Sequence, residues 1–188
     1  MTIDFNGIFN LCIVGLYFLQ PAYLSNSSAV IFGGGTPLDF GYKTKSGKDL
    51  IGKGCTWRGL IVGTIIGGIT GLIQGIITPS IVGYFGGSLP LIDYGGAING
   101  LIIGLLLGCG ALLGDAVGSF IKRRLNVKQG KPAPILDQID FAIGSLLLSS
   151  IMIKLDLKVI ITILILSIIL HVLTNITAYL VGIKDVWY

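Results

Sequence analysis

The chain has 188 residues, 53% of them hydrophobic and only 12% charged, with a mean hydropathy of +0.88. Soluble domains carry about 25% charged residues, so this composition leaves too little polar surface to cover a water-exposed globule and points to an integral membrane protein. At about 20 residues per crossing, the length admits one compact bundle of at most six or seven helices and no large soluble domain. The 9 acidic residues are all Asp, and 13 Lys and Arg bring the net charge to +4, a balance that by itself names no partner and asks for no nucleic acid.

Met1-Thr2-Ile3-Asp4 holds no basic residue ahead of the first apolar run, which argues against a cleaved signal and for a retained membrane helix. Apolar runs at about 5–24, 60–85, 94–114, 135–153 and 159–181 predict five transmembrane helices in one domain spanning 1–188, an all-α integral membrane protein with polar loops at 25–59 and 115–134. The fourth run is the weakest, because Asp137 and Asp140 sit in its first turns. Cys12, Cys55 and Cys109 stand far apart with one histidine, His171, so neither a disulfide framework nor a Cys/His zinc site is supported. His171, near Thr174 and Asn175 in the fifth run, reads as a polar side chain bonded to a neighbouring helix.

Charge sets the expected orientation. The first loop holds Lys43, Lys45, Lys48, Lys53 and Arg58, and the third holds Lys122, Arg123, Arg124, Lys128 and Lys131. With the N-terminus outside and the C-terminus in the cytoplasm, 11 of the 13 basic residues face inward. A multi-pass protein of the cell membrane is expected, with its polar site at the cytoplasmic face and Trp187 and Tyr188 at the interface.

Glycine in the spans is spaced. Gly59, Gly63, Gly67, Gly71 and Gly75 recur every four residues in the second run, and Gly96, Gly100, Gly104 and Gly108 do so in the third. Such faces let helix backbones approach closely in lipid, so helices two and three are predicted to pack together; the same faces admit a homodimer.

The chemistry lies in the polar loops. Gly33-Gly34-Gly35 through Asp39, with Lys43, and then Lys53-Gly54-Cys55-Thr56-Trp57-Arg58 offer backbone amides and cations suited to a polyphosphate, or to anionic lipid headgroups. If the third helix runs into the cytoplasm, Asp115, Ser119 and Lys122 fall at i, i+4 and i+7 on one face. Asp137 and Asp140 share a side of the fourth helix. Carboxylates at a membrane helix end mark ion, proton or metal work, and convergent Asp oxygens without His or Cys favour Mg²⁺. A structural alternative pairs Asp115 with Lys122 or Arg123 and makes Asp137 a helix cap.

Gly114-Asp115, Ser119, Lys122-Arg123 and Asp137-x-x-Asp140 resemble the lipid cytidylyltransferase signature of the CDP-diacylglycerol synthase superfamily. The upstream Gly33-Gly34-x-x-Pro37-x-Asp39-Phe40-Gly41 and Thr56-Trp57-Arg58-Gly59 are more particularly similar to the archaeal CDP-archaeol synthases, so the resemblance covers essentially the whole chain. Gln138 stands where the signature has arginine, Cys55 where a lysine is expected, and Pro132-Ala133-Pro134 replaces a glycine-rich stretch. The resemblance implies Mg²⁺-dependent condensation of CTP with a membrane-embedded ether-lipid phosphate, 2,3-bis-O-(geranylgeranyl)-sn-glycerol 1-phosphate, releasing pyrophosphate. It implies metal ligation by Asp115, Asp137 and Asp140, a catalytic set of Asp115, Asp137, Lys122 and Arg123 in which Lys122, Arg123 and the first-loop basic residues hold phosphates, and a nucleotide site that includes Gly33, Gly34, Asp39, Lys43, Lys53, Gly54, Thr56, Trp57, Arg58 and Ser119. Alternatives are a cytidylyltransferase for ester lipids or a small transporter subunit; the latter would place ionisable groups near the midplane, where helices one, two, three and five have none.

Overall fold

The computed structural model describes residues 5–182 except 46 and 130. The sequence expectations for Met1 to Asp4, Lys184, Trp187 and Tyr188 lie outside the described residues. Five helices follow in order: α1 Phe5–Phe32, α2 Trp57–Tyr84, α3 Ala97–Arg124, α4 Leu136–Ser149 and α5 Leu157–Leu180. Among the described residues there is no strand, only isolated bridges from Pro37 to Thr56 and from Lys43 to Asp49 within the first loop.

Four of the five are long and apolar enough to cross a membrane: Asn6–Phe32, Trp57–Tyr84, Ala97–Arg124 and Leu157–Thr177. The run expected over 135–153 forms a helix of only 14 residues, about 21 Å at 1.5 Å per residue, short of a hydrocarbon core of roughly 30 Å. By contrast α1, α2 and α3 each have 28 residues and outrun their predicted spans. α2 passes through Pro79 and continues to Tyr84.

Close backbone approach orders the bundle. A Cβ added at Gly71 would lie 2.2 Å from Gly100 O, one at Gly104 2.3 Å from Gly67 O, and one at Gly75 2.4 Å from Gly96 O. These pairings run in opposite directions along the two helices, so α2 and α3 are antiparallel and in contact through both ladders. The ladders are therefore occupied within one chain. The outer face of α2 carries Ile61, Ile65, Ile69 and Ile73, all exposed. Lipid is as apolar as a protein core, so side-chain size rather than polarity separates the two faces.

A second glycine contact has no counterpart in the sequence expectations. Gly110 and Gly114 of α3 meet Gly144 and the Asp140 backbone of α4, where an added Cβ would lie 2.4 Å from Gly144 O and 2.2 Å from Asp140 O. α1 packs against α2, α3, α4 and α5, and its Phe18, Leu19 and Ala22 join Leu107, Ala111, Phe141 and Ile163 in the core. Contacts of Gly15 with Ile163 and of Tyr23 with Ser167 make α5 parallel to α1.

Candidate active site

The two polar loops meet at one end of the bundle. The first is pinned at its base by Leu38 N donating to Cys55 O at 2.9 Å and Trp57 N to Thr36 O at 3.1 Å. Thr56 caps α2, accepting from Gly59 N at 3.1 Å. Asp39 organises the interior: its carboxylate accepts from Gly41 N at 3.0 Å, Ile51 N at 2.8 Å and Gly52 N at 3.0 Å. Burial alone would raise this carboxyl, but the amides of Gly52, Ile51 and Gly41 outweigh it and hold it below the ordinary carboxylate range. Gly52 takes φ +106 to deliver its amide, a conformation side chains rarely adopt.

α3 continues past its expected end to Arg124, so Asp115, Ser119 and Lys122 do share one helix face. Cys55 of the first loop donates to Ser119 Oγ at 3.7 Å, and burial pushes its thiol up. Arg123 donates through Nε to Ile51 O at 3.3 Å and through a second nitrogen to Val127 O; Lys48 donates to Asn126 Oδ1. These bonds clip the two loops together. Arg123, expected on phosphate, is engaged by backbone carbonyls.

Of the three aspartates expected together, the structure brings two into contact. Asp115 and Asp140 are joined through their carboxyl groups across α3 and α4. The approach depends on Gly118, where an added Cβ would sit 2.0 Å from Asp140 Oδ2. Asp137 is held instead by Lys122, whose Nζ lies 2.7 Å from its Oδ1, and it accepts from Ala133 N at 2.8 Å. The alternative pairing of Lys122 with Asp115 is thus replaced by one with Asp137. Asp137 does not cap α4 either: the cap position is Ile135, which has no side-chain cap bond. Among the described residues no three His, Cys, Asp or Glu side chains gather closely enough to hold a metal unaided.

Two cavities adjoin Asp115, whereas Asp140 lines the groove between α3 and α4. One of about 100 Å³ lies under the first loop, walled by Gly54, Cys55, Thr56 and Asp115. The other, about 610 Å³, lies between α1, α4 and α5 and is lined by Tyr23, Asp115, Asp137, Phe141, Ser167 and His171 among others. Among the described residues Asn26, Val30 and Asp115 border both. His171 thus stands in a cavity wall beside Asp137, a placement its position in an apolar run does not signal. Gly34, Lys43, Lys53 and Gly54 are exposed on the loop and Trp57 and Arg58 at the start of α2, while Gly33 is half-buried.

A bundle of membrane-length helices with a carboxylate pair, cations and two adjoining cavities at one end defines a multi-pass intramembrane enzyme architecture. The family model described as CarS-like CDP-archaeol synthase matches residues 8–188, and the chain belongs to that family. It is 47% identical over 180 residues to a CDP-archaeol synthase of Methanocaldococcus jannaschii, covering 96% of this chain and 99% of that one. It is 48% identical to one of Methanothermobacter thermautotrophicus over the whole of both chains. A solved structure of an intramembrane enzyme for archaeal membrane lipids biosynthesis superposes with a TM-score of 0.71 at 30% identity, covering 86% of this chain and 92% of that one.

Proposed function

We propose that the protein transfers the cytidylyl group of CTP to 2,3-bis-O-(geranylgeranyl)-sn-glycerol 1-phosphate, giving CDP-archaeol and pyrophosphate. The observation that carries this reading is Asp115, which borders both cavities and meets Asp140, in a chain whose full-length relatives are CDP-archaeol synthases. We assign the first-loop side to the nucleotide, and the larger cavity, flanked by α5 with its exposed Ile161, Ile165 and Ile169, to a phosphate arriving on a membrane-embedded lipid.

The reaction needs no activated side-chain nucleophile. An oxygen of the lipid phosphate attacks the α-phosphorus of CTP, a new phosphorus–oxygen bond forms, and the bond to pyrophosphate breaks. The barrier lies in bringing two polyanions together. An oxygen-only donor pair, held in contact where glycine leaves room for it, fits Mg²⁺, and Asp115 and Asp140 would hold it. An ion held there would supply charge neutralisation for the α-phosphate and the leaving pyrophosphate. Lys122, oriented by Asp137, supplies a further cation beside the reacting phosphates, and Ser119 a hydroxyl one turn from Asp115. The first loop closes over the nucleotide, its shape kept by Asp39 and by the Arg123 clip.

We place the N-terminus outside and the loop-bearing end in the cytoplasm, because ten of the 13 basic residues lie in the two loops or in the helix turns that border them. We read five crossings. α4 runs antiparallel to α3, and the segment containing Lys154 and Asp156 returns the chain beside Gly7 and Asn10, near the start of α1.

Purified protein in lipid nanodiscs, given radiolabelled CTP, Mg²⁺ and either ether- or ester-linked lipid phosphates, tests the proposal. A CDP-lipid product with the ether substrate, dependent on CTP and Mg²⁺, is expected. Absence of product with every lipid overturns it, and equal turnover of ester lipid overturns the substrate assignment.

A further inference from the structure

The loop-side part of α1 carries four consecutive polar residues, Ser25, Asn26, Ser27 and Ser28. A polar group in a membrane helix without a partner is costly. Three of the four have partners within the chain. Ser25 Oγ lies 2.8 Å from both Pro21 O and Gly63 O, Ser27 Oγ donates to Tyr23 O at 3.0 Å, and Ser28 Oγ to Ser25 O at 2.8 Å. Asn26 differs: its Oδ1 is buried and accepts no hydrogen bond from any described residue. It also borders both cavities, as Asp115 does.

We infer that Asn26 is an oxygen ligand of the divalent cation, completing with Asp115 and Asp140 a donor set drawn from α1, α3 and α4, in the place the aspartate spacing assigns to Asp137. An orphaned acceptor that shares both cavities with a carboxylate adds to the negative potential there, which favours a cation over a neutral donor. Amide carbonyl oxygen is an ordinary ligand for hard divalent ions. Two carboxylates and one neutral amide match a dipositive charge, whereas Asp137 is already neutralised by Lys122 at 2.7 Å. The cation also gives the buried amide the partner that the folded chain withholds.

The inference rests on the cytidylyltransferase reading for what the cation does, but its test needs no turnover. Mn²⁺ binding to the full-length, nucleotide-free protein in detergent is followed by electron paramagnetic resonance titration, with melting temperature measured alongside. Asn26→Ala should weaken Mn²⁺ at least fivefold without lowering the metal-free melting temperature, because no bond within the chain is lost. Asn26→Asp should keep or tighten binding, and Asp137→Asn should weaken it less than Asn26→Ala does. Wild-type Mn²⁺ affinity in Asn26→Ala overturns the inference. So does a change in preference between CTP and UTP at unchanged Mn²⁺ affinity, which would make Asn26 a reader of the base. Should Asn26→Ala fail to fold, Asn26→Asp decides the matter, and loss of Mn²⁺ binding there overturns ligation. If Mn²⁺ binding follows the expected pattern but the wild type makes no CDP-lipid, the inference stands and the proposed function fails.

Discussion

Lys122 Nζ sits 2.7 Å from Asp137 Oδ1, and the two side chains are 17% and 22% exposed. This ion pair divides the acidic cluster into a cation-bound carboxylate and a carboxylate pair, Asp115 with Asp140, of which Asp115 borders both cavities. The division turns three similar residues into two kinds.

Asp115→Asn and Asp140→Asn each replace a charged oxygen of the pair and should remove most cytidylyl transfer while leaving the fold nearly intact. Asp137→Asn should cost about 1 kcal/mol of stability or less, as for a partly solvated ion pair. It should lower turnover by releasing Lys122 rather than by abolishing the Mg²⁺ requirement. Turnover against Mg²⁺ concentration, read beside the melting temperature, separates the roles. Near wild-type rates in both Asp115→Asn and Asp140→Asn would remove the pair from the mechanism.

Two glycines one turn apart on α3 should behave differently. At Gly118 the added methyl meets the end of the Asp140 side chain, 2.0 Å from Oδ2, and a rotating carboxyl can yield. Gly118→Ala should therefore fold and lose activity, because Asp140 is turned from Asp115. At Gly114 the methyl meets Asp140 O at 2.2 Å, and only moving α4 relieves it. Gly114→Ala should destabilise the protein by about 1 to 3 kcal/mol, the usual range for overpacking. An inactive Gly118→Ala with a collapsed melting transition, or a fully active one, counts against the proposed role of Gly118.

The α2–α3 contact gives a parallel expectation. Gly71→Leu and Gly104→Leu put bulk where backbone atoms lie within 2.2 and 2.3 Å of a modest Cβ, so both should melt well below the wild type in detergent. Ile69→Leu on the exposed face of α2 should not. Wild-type melting in both glycine variants would contradict the contact.

Asp39 makes the first loop acid-sensitive. Its carboxyl is lowered from an ordinary 3.8 by folding, so the stability it contributes is fully present above that value and is lost as pH falls through the lowered one. Amide hydrogen exchange at Gly41, Ile51 and Gly52 should stay slow down to about pH 4 and accelerate below it relative to the intrinsic rate. In Asp39→Asn, where an amide nitrogen faces some of those donors, the loop should be loose at neutral pH. Charged hydrogen bonds contribute about 1.5 to 3 kcal/mol, which sets the scale of the loss.

Topology is open to labelling. Lys45→Cys and Lys128→Cys lie in the two polar loops, and an impermeant maleimide added outside right-side-out vesicles should not reach either. Ready labelling from outside would reverse the orientation.

Composition and spacing alone specify much of this protein. Charge scarcity makes it a membrane chain, the basic residues group its two polar loops, and four-residue glycine ladders select the face on which α2 meets α3. That face is legible because in lipid a helix buries its small residues, whatever their polarity. The fourth span is shorter than its apolar run because hydropathy continues past Ser149, whereas the helix ends there. The pairing of Lys122 with Asp137 is not legible in the sequence, since i, i+4 and i+7 geometry places Lys122 beside Asp115 just as well. Only the approach of α4 across Gly114 and Gly118 decides which aspartate each group meets. Asn26 is hidden for a related reason: among three serines it looks like another helix-bonded polar residue, and its missing partner becomes visible only in the folded bundle, where it borders two cavities.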